Sequence, residues 1–120
     1  NHERYIRIVG CDLSDDVLTN SLFVDKYYQV PRYTDCHYVD ALLDICKKEK
    51  VDVFFPHISM ELPYILNRIE DFEKTGVKVA ISDKETLATA NCKYHLYEFM
   101  KEKELTVPKY VPCMCENDRE

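Results

Sequence analysis

Two hydrophobic patterns take turns along this chain. Compact apolar blocks of four to six residues recur at Tyr5–Gly10 (YIRIVG), Tyr27–Val30, Val51–Phe55 (VDVFF) and Val77–Ile81 (VKVAI). Their length and composition are those of buried parallel strands. Between them the apolar residues fall at helical spacing and predict helices over Asp15–Leu22, about Cys36–Lys48 and about Met60–Lys74. In the second of these, Val39, Leu42, Leu43 and Cys46 share one face, while Asp40, Asp44, Lys47 and Lys48 take the other. In the third, Leu62, Ile65, Leu66, Ile69 and Phe72 form the apolar face. Pro63 falls in its first turn, where a missing N–H is harmless, and Gly76 ends it. Asp12 or Ser14 is expected to cap the first helix, and Thr34 or Asp35 the second. Pro31 and Pro56 close the second and third strands.

After the fourth strand the pattern is helical only. Ser82-x-x-Glu85 reads as a capping box that starts a helix. Asn91 is placed to cap another, in which Leu96, Phe99 and Met100 recur at helical spacing. The chain then turns extended at Val107-Pro108, since proline biases the residue before it away from helix. The order β-α-β-α-β-α-β followed by two helices predicts an α/β fold: an open, mostly parallel Rossmann-like sheet with right-handed crossovers and helices on both faces. Residues 1–90 are expected to form that domain, and 91–120 a linker helix and a lead-in to something further.

Composition narrows the function. At 120 residues there is room for one core. The net charge of −6, with no basic stripe, argues against nucleic acid as a partner. No apolar run approaches the ~20 residues that span a bilayer, and the start lacks the pattern of a secretory signal. The six cysteines are scattered, which fits reduced thiols in a cytoplasmic protein; Cys113-x-Cys115 is too short for the usual zinc spacing, so no metal ligands are assigned. A dinucleotide site would need a glycine-rich turn, but the chain has only Gly10 and Gly76. The acidic pair of a receiver-type phosphoacceptor is also missing. In open parallel sheets ligands bind beyond the carboxyl ends of the strands, which here carry Cys11-Asp12, Pro31-Arg32, His57-Ser59-Glu61 and Ser82-Asp83. Among these, Asp12, His57, Ser59 and Glu61 are the candidates to face a ligand. Each has a structural alternative: Asp12 as a cap, Glu61 as a carboxylate stabilised by a helix N-terminus.

The stretch SDKETLATANCKYHLYEFMKEKELTVPKY (82–110) resembles the junction that precedes the ATP-grasp fold in carbamoyl-phosphate synthase large subunits, biotin carboxylases and related carboxylate ligases. Asn91, Lys93, Phe99, Val107 and Pro108 match that pattern in order and spacing, and Tyr28–Pro31, Val51–Pro56 and Val77–Ser82 fit the strand ends of the associated pre-ATP-grasp domain. The resemblance implies an ATP-dependent parent enzyme, using ATP and Mg²⁺, that activates a small-molecule carboxylate as an acyl phosphate for attack by an amine. It implies that Lys93 is an ATP-binding cation near the phosphates. It places the metal-binding carboxylates and the adenine-binding strands downstream, so no catalytic residue is assigned within these 120 residues and the chain alone is expected to be inactive. Compared with the family, the first strand and helix with their glycine-rich turn are missing. The strands at Tyr5–Gly10 and Val51–Phe55 are then expected to flank an open slot, in a chain trimmed at both ends. A homo-oligomer is compatible with this reading. The competing reading is a stand-alone, non-catalytic Rossmann- or flavodoxin-like binding or regulatory module.

Overall fold

A computed structural model describes residues 6–16 and 21–111. The chain divides into two compact units, Asn1–Ile81 and Ser82–Glu120. The first contains β1 (Val9–Asp12), a 3₁₀ turn at Ser21–Phe23, β2 (Lys26–Gln29), α1 (Tyr38–Glu49), β3 (Val53–Phe54), α2 (Leu62–Leu66), α3 (Ile69–Lys74) and β4 (Lys78–Val79). The expected helix over Asp15–Leu22 lies largely outside the described residues.

The α/β class and the parallel pairing read from the sequence are both present, on a small scale. β1 pairs with β2 in parallel, Val9 opposite Lys26 and Asp12 opposite Gln29. β3 pairs with β4 in parallel, Val53 opposite Lys78 and Phe54 opposite Val79. Among the described residues these remain two separate two-stranded sheets. Each therefore has an outer strand edge with no ladder partner in that sheet, at β1 and at β3. Parallel pairs are not stable alone, and these lean on helix packing.

That packing is centred on α1. Its apolar face is buried as its spacing predicts, with Val39, Leu42, Leu43 and Cys46 all inside, joined by Tyr38. They form one core with Val30, Ile65, Phe72 and Val77, against which Phe54, Val79 and Ile81 pack. Ile65 and Phe72 are both 0 % exposed, and the Phe72 ring stacks on Phe54 with centroids 5.6 Å apart. The helix ends as its sequence requires: Lys50 takes the left-handed conformation (φ 53°) and its N–H reaches the Cys46 and Lys47 carbonyls. Gly76 (φ 84°) makes the equivalent turn before β4.

Four expectations need correction. The helix expected over Met60–Lys74 is two helices, broken at Asn67–Arg68. At the break Arg68 reaches Asp40 of α1 at 3.0 Å and also pairs with Asp71, so the chain turns where its cation can meet two carboxylates. The residue preceding α1 is His37, without a side-chain cap; Asp35 instead accepts the His37 N–H at 2.8 Å, inside the turn. In the second unit, α4 (Lys84–Asn91) is capped by Asp83, not Ser82. The Asp83 carboxylate accepts the Thr86 N–H at 2.9 Å and the Thr86 hydroxyl at 2.7 Å, which holds it below the usual carboxylate range. A carboxylate accepts better than a hydroxyl, so the start slides one residue.

The second unit continues with α5 (Lys93–Glu102). Asn91 is the last residue of α4 and not the cap of α5; Cys92 stands between the two helices in extended conformation. Residues 105–111 follow with no regular structure. Tyr110 holds them back on α5: its ring lies 4.9 Å from that of Tyr97, its hydroxyl donates to Glu98, and Lys101 joins both at 2.6 and 2.8 Å. No helix among the described residues is long and apolar enough to cross a membrane.

The core makes a direct prediction. Phe72→Ala removes a fully buried ring that stacks on Phe54, and should lower the unfolding free energy by about 3–5 kcal/mol. Urea denaturation followed by circular dichroism reads this; a loss under 1 kcal/mol would mean that Phe72 is not central.

Candidate functional site at the carboxyl ends of the strands

The chain leaves β3 through Phe55-Pro56-His57-Ile58, and the backbone N–H groups of this loop need partners wherever they turn inward. Glu61 supplies them. It is the one buried charged residue among the described residues, 6 % exposed. One carboxylate oxygen accepts the His57 N–H at 2.9 Å and the Ile58 N–H at 3.1 Å. The other accepts the hydroxyl of Tyr38, from the first turn of α1. Glu61 immediately precedes α2, where the helix dipole favours a negative charge.

Tyr38 is buried at the N-terminal end of α1. Burial, and then its hydrogen bond to the Glu61 side chain, push its hydroxyl well above the ordinary tyrosine range. Cys11, at the end of β1, keeps exposed surface as a residue, but its thiol is crowded by neighbouring atoms. That desolvation, with the charges of Glu61 and Asp12 added, pushes the thiol up to about 11. The same two carboxylates act on Tyr38. The end of β1, the loop after β3 and the start of α1 therefore converge on one rim of the first unit.

Asp12 is exposed on that rim. Its carboxylate accepts the Ser14 N–H at 2.8 Å, and the Ser14 hydroxyl accepts the Asp16 N–H at 3.1 Å. The loop is pinned further by Tyr27, whose hydroxyl donates to the Ser14 carbonyl at 2.5 Å, and by Gln29, whose amide donates to the Leu13 carbonyl at 3.2 Å. His57 and Ser59 are exposed in the loop that Glu61 ties down. Beside them Tyr33 and Tyr64 lie with ring centroids 5.7 Å apart, and the Tyr33 hydroxyl meets the Met60 sulfur at 3.4 Å.

Of the residues singled out in the sequence, the structure thus brings Asp12, His57, Ser59 and Glu61 to one edge. Glu61 faces inward and its oxygens are engaged within the fold; the groups at the surface are Asp12, His57 and Ser59. Lys93 is in the second unit, an exposed residue at the start of α5. Sequence reasoning missed Tyr38. The signal was available: a tyrosine beside Val39 on the apolar side of a helix needs a hydrogen-bond partner once it is buried. Chemically the rim offers an exposed carboxylate at Asp12 and, beyond the end of β2, an exposed guanidinium at Arg32.

A family model described as the PylC-like N-terminal domain matches residues 2–81. No curated protein matches the chain.

The rim predicts a pH signature. Because the fold raises the Tyr38 hydroxyl, the protonated form is favoured in the native state, and its contribution is complete below the unfolded tyrosine range (~10). It is lost as pH climbs beyond that range. Wild-type melting temperature should therefore fall more steeply above about pH 10 than that of Tyr38→Phe, which lacks the group. At neutral pH, Glu61→Ala should be the more damaging change, since it leaves two N–H groups and a hydroxyl unpaired at roughly 1–3 kcal/mol each. Parallel slopes for wild type and Tyr38→Phe in thermal melts across pH 8–11 would contradict the first expectation.

Proposed function

The chain belongs to the PylC-like N-terminal domain family, the pre-ATP-grasp domain of ATP-grasp ligases, and from that premise we propose that it serves a ligase of the carbamoyl-phosphate-synthase-like class. In such an enzyme a substrate carboxylate oxygen attacks the γ-phosphorus of ATP and ADP leaves. An amine nitrogen then attacks the acyl carbon, and phosphate leaves with the former carboxylate oxygen. The observation that carries this reading is the family match over the whole α/β unit. Asp12 supports an amine as the second substrate, as an exposed carboxylate able to pair with a cation, and exposed His57 and Ser59 add hydrogen-bonding groups. The test is an assay of the ligase that contains this chain. It should release ADP only when Mg²⁺, a carboxylate and an amine are all present, and should form a hydroxamate when hydroxylamine replaces the amine. ADP release indifferent to any carboxylate would refute the assignment.

Lys93 is the residue we assign to ATP in that enzyme. Its position supports the role: a helix start also presents backbone N–H groups without intrahelical partners, so cation and dipole attract the same anion. Lys93→Ala should leave the melting temperature nearly unchanged, because an exposed side chain contributes little to packing. It should reduce kcat/KM for ATP by roughly ten- to a hundredfold, the worth of a charge-assisted phosphate contact. Lys93→Arg should keep part of the activity. Wild-type kinetics for the alanine variant would return Lys93 to the ordinary surface lysines.

The same family reading completes the sheet. We infer that β1–β2 and β3–β4 are two halves of one open Rossmann-like sheet, to be joined by a parallel strand between β1 and β3. The apolar surface beside these edges supports it: Ile6 is 78 %, Ile8 49 %, Val53 44 % and Phe55 74 % exposed. Extending the chain ahead of Asn1 with an apolar strand, a glycine-rich turn and a helix should raise the melting temperature and suppress self-association. Equal melting points and a clean monomer for both chains, by sedimentation, would contradict it.

A further inference from the structure

Consecutive residues normally point apart, in a strand by alternation and in a helix by rotation. The turn between β2 and α1 breaks that rule at Asp35, Cys36 and His37. The Asp35 N–H donates to the Arg32 carbonyl at 2.8 Å, and the Tyr38 N–H donates to the Asp35 carbonyl at 3.1 Å. The His37 N–H donates to the Asp35 carboxylate at 2.8 Å. The chain is thereby wound so that a carboxylate oxygen, a thiol sulfur and an imidazole nitrogen all lie within 4.8 Å of one another. All three side chains are exposed.

We propose that Asp35, Cys36 and His37 form a binding site for a first-row divalent transition-metal ion of the zinc type. The donor set decides the class. Thiolate and imidazole suit Zn²⁺, Co²⁺, Ni²⁺ or Cu²⁺, whereas Mg²⁺ and Ca²⁺ want oxygen ligands. Metal–ligand bonds of about 2.0–2.3 Å put tetrahedral ligand atoms ~3.5 Å apart, so an inward shift of about 1 Å by exposed side chains closes the site. The backbone of the turn is already hydrogen-bonded, which reduces the ordering that binding requires. On binding, the Cys36 thiol gives its proton to solvent, and the thiolate and the Asp35 carboxylate neutralise the dication. Three protein ligands leave the fourth position to water or a small anion, as in open rather than closed zinc sites.

Cobalt is the probe, because a thiolate–Co²⁺ bond gives a near-ultraviolet charge-transfer band. Titration of the tag-free 120-residue protein with Co²⁺ should develop that band with one equivalent, and Zn²⁺ should bleach it. Cys36→Ser should abolish the band. His37→Ala and Asp35→Asn should each weaken Zn²⁺ binding at least tenfold in competition with a chromophoric chelator. Circular dichroism of the metal-free variants should match wild type, since the substituted side chains are exposed. Three results would overturn the proposal: no band, a band that survives Cys36→Ser (which would place the ion on other thiols such as Cys113 and Cys115), or equal Zn²⁺ affinity in wild type and variants.

Discussion

A carboxylate taken out of water must be surrounded by donors, and much of the first unit is arranged around the one that is. Glu61 receives two backbone N–H groups from the loop after β3 and a hydroxyl from α1. The loop thereby gains a fixed shape without regular structure, and the start of α1 is tied to it. The interaction is local along the chain on one side, His57 to Glu61, and long-range on the other, Tyr38 to Glu61. It therefore couples the geometry of the rim to the seating of the central helix. A purely apolar residue at position 61 could fill the space but could not satisfy the loop, because the N–H groups would remain.

The helix so tied carries the core. With strands of only two to four residues, ladder hydrogen bonds alone do not hold the sheets, and the apolar face of α1 against Ile65, Phe72 and Val77 supplies the cohesion. Polar contacts then fix the periphery. Arg7 and Tyr28 converge on Glu49 at the far end of α1, and that pairing holds Glu49 below the usual carboxylate range. Both ends of the helix are thus bound through a glutamate that accepts a tyrosine hydroxyl, buried at one end and partly buried at the other.

How much of this was legible depends on what each feature rests on. The buried face of α1 was legible because Val39, Leu42, Leu43 and Cys46 repeat at helical spacing and nothing competes with them. The placement of Asp12, His57 and Glu61 at or beyond the strand ends was legible too, since each ends or follows a parallel strand in the chain. Boundaries were less so. Ser82 and Asp83 are adjacent acceptors, and only the geometry of Thr86 decides between them. The break at Asn67–Arg68 depends on Asp40, far away in sequence, so the local apolar spacing of Ile65, Ile69 and Phe72 reads as one continuous helix. The association of Tyr38 with Glu61, and the gathering of Asp35, Cys36 and His37 in one turn, are tertiary and turn-geometry facts that periodicity does not encode.

Asp12 and Lys93 lie in different units and suit opposite charges, and that supports a division of roles in the proposed ligase. ATP brings several negative charges, which the Asp12 carboxylate repels. Lys93 at the start of α5 would attract them, but would be a poor neighbour for a protonated amine. One surface cannot serve both substrates well, because lowering the potential for one raises the cost for the other. The boundary between units after Ile81 coincides with the end of the family match at residue 81. Asp12 falls on the first side of it and Lys93 on the second. On this argument the α/β unit is the one to search for determinants of the amine, and the helices after it for those of the nucleotide.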